Sequence, residues 1–248
     1  MDLLEQKKIS TDQFKRHPWE IARFKILLFL LKKNPSINFI ADVGSGDAFV
    51  ATELSKKFPN SVVAAVDINY DEQFINENTK GNLSFVSDIN QLNDKISIDN
   101  VLLMDVLEHI QKPEEILQTI KDLETISSST QFFITVPAFQ FLFSQHDIFL
   151  KHFRRYNRKQ LVQLLKQEGF EIKQSGFFFF SLLLPRIFLK LFKIETLKGM
   201  HNWKQGRLLT SLMVAMLWID FKICWYLSRI GINLPGLSCY CVCQPLPS

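Results

Sequence analysis

The sequence predicts an α/β protein built on a doubly wound, mostly parallel sheet. Three observations predict it. Short apolar runs alternate with helix-patterned segments from residue 38 to residue 136. Some of these runs, Val62-Val63-Ala64-Ala65-Val66 above all, are apolar at every position, as in a strand covered on both faces. Turn residues and acids gather just after the runs, where such a sheet receives its ligands.

The elements follow in order. Residues 17–33 read as an amphipathic helix opened by Pro18, with Trp19, Ile21, Phe24, Leu27, Leu28 and Leu31 on its apolar side. Asn34-Pro35 ends it. The first strand spans 38–43 and stops at Gly44. Asp47 stands ready to cap the next helix, whose Val50, Leu54 and Phe58 share a face. Pro59-Asn60 turns the chain into a strand over 61–67. A polar helix near 71–78, a strand at 83–87 and a strand at 98–105 come next. Pro113 opens a helix with Ile116, Leu117, Ile120 and Leu123 inward, and 131–136 forms the fifth strand. Asn157 caps a helix that Gly169 closes. Strand patterns return at 170–180 and 237–244. The organisation is therefore an N-terminal helical segment (1–36), a core (37–180), a helical apolar insertion (181–236) and a last strand with its tail (237–248).

Composition narrows the function classes. Hydrophobic residues at 47% and charged residues at 22% describe a folded globular chain and exclude wholesale disorder. A net charge of +4 is too small to imply nucleic acid, and none is expected as a partner. Cys239, Cys241 and Cys243 alternate as on one face of a strand, and with Cys224 they form no zinc spacing. Free thiols and a polar start, Met1 to Ser10, point to the cytoplasm. Leu208 to Leu227 comes closest to a membrane span, but Asp220 and Lys222 interrupt it.

The first strand ends in Asp42-Val43-Gly44-Ser45-Gly46-Asp47. Glycines there let the chain turn tightly and let a ligand touch the backbone. A dinucleotide fingerprint wants a third glycine where this chain has Phe49, which counts against NAD and leaves a dehydrogenase as the weaker alternative. Asp67 ends the second strand, where an acid takes ribose hydroxyls. Asp88-Ile89 follows the third strand, a place to accept from an adenine amino group while an apolar side chain packs on the ring.

The run Ile40-Ala41-Asp42-Val43-Gly44-Ser45-Gly46-Asp47-Ala48, with Asp67, Ser87-Asp88 and Asp105-Val106-Leu107-Glu108-His109-Ile110, resembles the class I S-adenosylmethionine (SAM)-dependent methyltransferases. It is most similar to their ubiquinone-biosynthesis-type branch. The resemblance covers roughly residues 38–180 and is specific only as a set. It implies a Rossmann-like sheet of seven strands with an antiparallel last strand and an acceptor lid between the last two. It also implies SAM as cofactor and S-adenosylhomocysteine as product. Gly44, Ser45 and Gly46 would cradle the methionine part, Asp67 with Ile68 the ribose side, and Asp88 with Ile89 the adenine. Asp42 would support the amino group, and Asp105 would border the methyl end.

The implied reaction is methyl transfer to a small hydrophobic acceptor, favoured at oxygen by the resemblance. A SAM-binding module without turnover is the other class. His109 is the first candidate for general base, the alternative being a structural histidine. Asp105, Glu108 and His109 also resemble a Glu-x-x-Glu-His metal-binding run, with His146 or His152 as a further ligand. Asp105 departs from that pattern, and no metal ligand set is assigned. His146 and Tyr156 border the acceptor side, Tyr156 to orient a substrate. Arg154 and Arg155 either bind an anionic group on the acceptor or hold their loop by ion pairs. The insertion is apolar with basic edges at Lys190, Lys193, Lys198, Lys204 and Arg207. It suits a lid over a hydrophobic, lipid- or carrier-linked acceptor, peripheral contact with an anionic membrane, or plain packing in the core or against a second subunit.

Overall fold

The structure, a computed structural model, describes residues 16–31, 37–92, 96–192 and 206–247. Helix α1 (Pro18–Leu31) leads into the core alternation: β1 (Phe39–Val43), α2 (Phe49–Lys57), β2 (Val62–Val66), α3 (Glu72–Asn78), β3 (Leu83–Val86), β4 (Asn100–Met104), α4 (Pro113–Lys121) and β5 (Gln131–Pro137). Then come α5 (Gln145–Phe149), α6 (Arg158–Gln167), β6 (Phe170–Phe178), α7 (Phe180–Leu191), α8 (Arg207–Arg229) and β7 (Ser238–Pro245). The predicted helix end at Asn34-Pro35, and Lys193, Lys198 and Lys204, lie outside the described residues.

The seven strands form one sheet in the order β3-β2-β1-β4-β5-β7-β6. β7 runs antiparallel between β5 and β6, and the β1–β5 pairings are parallel. This is the Rossmann-like sheet expected from the sequence. Alternation along each strand divides the core. On β1, Ile40 faces the layer of α1, α2 and α8, while Phe39, Ala41 and Val43 face that of α4 and α6. On β7, Tyr240 and Val242 take the first side, and Cys239, Cys241 and Cys243 the second. All four cysteines are buried free thiols, as their spacing implied.

Several local rules act as read. Pro113 sits in the first turn of α4. Asn157 caps α6 and closes a capping box with Gln160. One expectation fails: Asp47 does not cap α2. Ala48, at φ 56°, holds the cap position without a side-chain bond. One Asp47 oxygen accepts only the Phe49 amide, at 3.3 Å, while the other pairs with buried Arg16. An ion pair across elements has outcompeted the local cap. Pro185 does not end α7 but sits in its second turn. The amide it lacks there would otherwise have bonded the Ser181 carbonyl.

Candidate functional site

The winding moves outward from β1 on one side and β4 on the other, so these neighbours mark the switch point beyond which such sheets bind ligands. After β1 the chain turns through Gly44 (φ 71°) and Gly46 (φ 54°). A Cβ on Gly44 would stand 2.6 Å from a Val106 methyl, so the loop is pressed against the segment after β4 and tolerates no side chain. The Gly44 and Ser45 amides donate to the Val66 carbonyl at 2.8 and 3.0 Å.

Asp67 braces the same loop. Its Oδ2 accepts from the Gly46 amide at 2.9 Å, and its Oδ1 accepts from the backbone and side-chain nitrogens of Asn69 at 3.0 and 2.8 Å. The Tyr70 hydroxyl donates to the Gly46 carbonyl at 2.8 Å. Its one proton is then used, so the Ser45 hydroxyl 2.7 Å away donates to it. Tyr70 was not singled out in the sequence. Its signal, a tyrosine three residues past the strand-end acid, is weak.

Asp42 is 2% exposed, and its Oδ2 has no partner among the described residues. Burial pushes this carboxyl up to about 7. Ile68, by contrast, stands 88% exposed beside Asp67. Asp88 is exposed and accepts from the Asn90 backbone and side-chain nitrogens at 2.9 Å each, while Ile89 is turned inward.

Helix α1 supplies two residues that the sequence reading missed. Arg16, just ahead of it, pairs with Asp47 and with Glu20, the latter at 2.9 Å, and lies 4.0 Å over the Phe49 ring. Arg23 pairs with Asp105, whose other oxygen accepts from Thr135 Oγ1 at 2.8 Å. The two arginines are seven residues apart, Arg16 just before α1 and Arg23 within it, a spacing of two helical turns that pattern reading could have used.

The side beyond β4 is built differently. Leu107–His109 form a single tight turn. Glu108 is fully buried with both carboxyl oxygens lacking hydrogen-bond partners among the described residues, and burial pushes it up to about 8. The His109 and His152 rings meet edge to face, centroids 4.5 Å apart. Behind His152 lies Asp147, fully buried. It accepts from His152 Nδ1 at 3.0 Å, from Arg155 Nε and Nη2 at 2.7 and 3.1 Å, and from the Ser144 amide and hydroxyl at 2.9 and 3.0 Å. Despite its burial, the bonds from His152 and Arg155 hold this carboxyl well below the usual range.

Arg155 is thus held in an ion pair, and Arg154 donates to the Gln111 carbonyl at 2.6 Å. The Tyr156 hydroxyl donates to the Leu107 carbonyl at 3.3 Å, and the residue is 5% exposed, so the phenol braces the turn that carries His109. His146 is half-buried, and burial lowers its pKa. The imidazole that meets His109 is His152, not His146. Glu108, His109 and His152 each offer a ligand atom within 4.8 Å of the others, a distance that suits a divalent ion. Asp105, first member of the predicted run, is turned instead to Arg23 and Thr135.

Residues 16–175 match the family model described as a methyltransferase domain. No curated protein matches the chain. Solved structures share the fold. A SAM-dependent methyltransferase from Archaeoglobus fulgidus aligns with a TM-score of 0.51 at 17% identity, over 90% of this chain and 92% of its own. A putative sarcosine dimethylglycine methyltransferase from Galdieria sulphuraria gives 0.56 at 14%, over 91% and 86%. The 1,6-didemethyltoxoflavin-N1-methyltransferase of Burkholderia thailandensis, solved with bound 1,6-didemethyltoxoflavin and S-adenosylhomocysteine, gives 0.53 at 14%, over 92% and 78%.

Proposed function

The chain belongs to the methyltransferase family, in the class that uses SAM, and from that premise we propose that it methylates an oxygen of a small hydrophobic acceptor. The dehydrogenase alternative falls with the family. Phe49, where a dinucleotide loop wants glycine, is packed under the Arg16 guanidinium.

Three features support SAM at the end of β1. Gly44, at φ 71° and with no room for a Cβ beside Val106, makes the strand end a tight turn of bare backbone. Asp42 keeps a buried oxygen without a partner among the described residues. Ile68 holds an apolar side chain in solvent beside Asp67. In this reading Asp67 takes the ribose hydroxyls on the lone pairs that Gly46 and Asn69 leave open. Ile68 flanks the adenine, and Asp88 accepts from its amino group. Asp42 and Ser45 support the amino-acid end, and Asp105 borders the methyl end. Bound there, the cofactor supplies a methyl group on a sulfonium, open to in-line displacement.

The observation that carries the reaction type is the imidazole pair His109–His152 beyond β4, with Asp147 at His152 Nδ1. A neutral His152 that donates from Nδ1 presents Nε2 as a proton acceptor. Such a pair suits a hydroxyl that must lose its proton as the methyl arrives. The rim supports an apolar acceptor, since Phe141, Ile148, Phe149 and Phe153, all between β5 and α6, stand more than half exposed.

The test supplies SAM carrying a carbon-13 methyl group and a panel of phenols, hydroxy acids and hydroxylated lipids. Carbon NMR of the organic extract distinguishes oxygen, nitrogen and carbon attachment. We expect an O-methyl signal that His109→Ala and His152→Ala each reduce about 100-fold or more, the usual scale for a lost acid–base group. Label confined to nitrogen, to carbon or to the aqueous phase would sink the proposal.

A further inference from the structure

Helix α8 has two unlike faces. Val214, Leu217, Phe221, Cys224 and Trp225 are buried. On this side Phe29 of α1 meets the rings of Trp218, Phe221 and Trp225 at 5.6, 5.7 and 5.1 Å. The opposite face carries Leu212, Met216, Ile219, Ile223, Tyr226 and Ile230, each 44–71% exposed. Their spacing of three or four residues draws one continuous apolar stripe, about 27 Å long at the rise of an α-helix. Scattered surface apolars need no explanation, but a stripe of this length does.

We propose that this stripe docks on an anionic membrane surface, with α8 lying in the interface. Charge selects the occupant. Asp220 is the only acid in α7 and α8, and it is turned inward, where it accepts from the Ser181 amide and hydroxyl at 3.4 and 3.3 Å. The exposed cations Arg207 and Arg229 flank the stripe at its two ends, and exposed Lys190 lies on neighbouring α7. An apolar face with cationic edges, and with no exposed carboxylate among the residues of α7 and α8, complements anionic headgroups over acyl chains. A second copy fits worse: pairing two stripes about a twofold axis sets Arg207 of one against Arg229 of the other, with no carboxylate of either helix between them. Tyr226 adds an amphipathic ring suited to headgroup depth.

The helix lies on the bilayer in this proposal and does not cross it. Its 23 residues, with a mean hydropathy of 1.6 over an 18-residue window, satisfy the length and composition of a span. Its other side is committed, however, to Phe29, Tyr240 and the Asp220–Ser181 contact. Lys222 stays over the Phe29 ring at 3.6 Å.

The experiment is co-sedimentation of the full chain with phosphatidylglycerol-containing vesicles and with pure phosphatidylcholine vesicles. Wild type is expected to pellet with the anionic vesicles, and less so as salt rises. Ile219→Glu combined with Ile223→Glu is expected to weaken partitioning at least about tenfold, with SAM binding kept. As a second readout, Ile223→Cys takes a solvatochromic dye while the four buried native thiols do not react, and its emission is expected to shift blue on anionic vesicles. Wild type left in the supernatant overturns the proposal. So does an unshifted dye, or a solution dimer that the double variant splits into monomers. None of these readouts depends on the methyl acceptor, so the membrane proposal and the catalytic one fail separately.

Discussion

The ends of β1 and β2 and the loop between β5 and α6 both face the switch point, yet they are made by opposite means. The first is a backbone site. Its turns come from Gly44 and Gly46, and Asp67 braces it by bonding to a main-chain amide. The second is a side-chain site, in which one buried carboxylate, Asp147, gathers His152, Arg155 and Ser144. A backbone site holds a ligand whose shape is fixed. A side-chain site can be rebuilt residue by residue for a new acceptor while the fold stays the same.

Four substitutions break or sharpen this comparison. The largest effect is expected on the side-chain site. Asp147→Ala removes the shared partner of a buried network and strands a guanidinium, so a loss of about 3–5 kcal/mol is expected in denaturant unfolding. If stability holds, Asp147 is not the organiser. Gly44→Ala comes next. A side chain at φ 71° that also collides with Val106 is expected to cost about 1–3 kcal/mol and to abolish SAM binding by calorimetry.

Asp67→Ala is milder for the fold, since the carboxylate is only half-buried. SAM affinity is expected to fall by about 1.5–3 kcal/mol, the scale of hydrogen bonds to a charged group. Unchanged affinity would refute the ribose role. Asp42→Asn gives the smallest and most pH-specific change. With its carboxyl pushed up to about 7, folded Asp42 keeps a proton that the unfolded chain has lost. Its contribution is therefore present at acid pH and is lost as pH rises from near 4 to 7. The Asn variant is expected to show a flatter stability curve across that window; an unaltered slope would place the titration elsewhere.

The backbone site was legible in the sequence because its parts are local: glycines directly after a strand, acids at the ends of the next two. The sheet was legible for the same reason, through apolar runs such as Val62–Val66. The side-chain site was only half legible. His109 was marked, but its partner was left open between His146 and His152, because positions 144–156 follow no helical or strand period; the ring that meets it is His152. Asp147 reaches His152 and Arg155 five and eight residues ahead, through the short helix α5 and an irregular turn. Arg16 and Arg23 were missed because their partners lie 31 and 82 positions away. The same distance explains the failed cap, since Asp47 looked local and was claimed from afar.

The buried thiols make the molecule its own unfolding gauge. Cys224 lies on the buried face of α8, and Cys239, Cys241 and Cys243 lie on β7, inside the sheet between β5 and β6. A thiol reagent reaches each only when its own surroundings open, so labelling rates read the peripheral helix and the sheet as separate clocks. Cys224 is expected to react first, and a single common rate for all four would mean that α8 and the sheet open together.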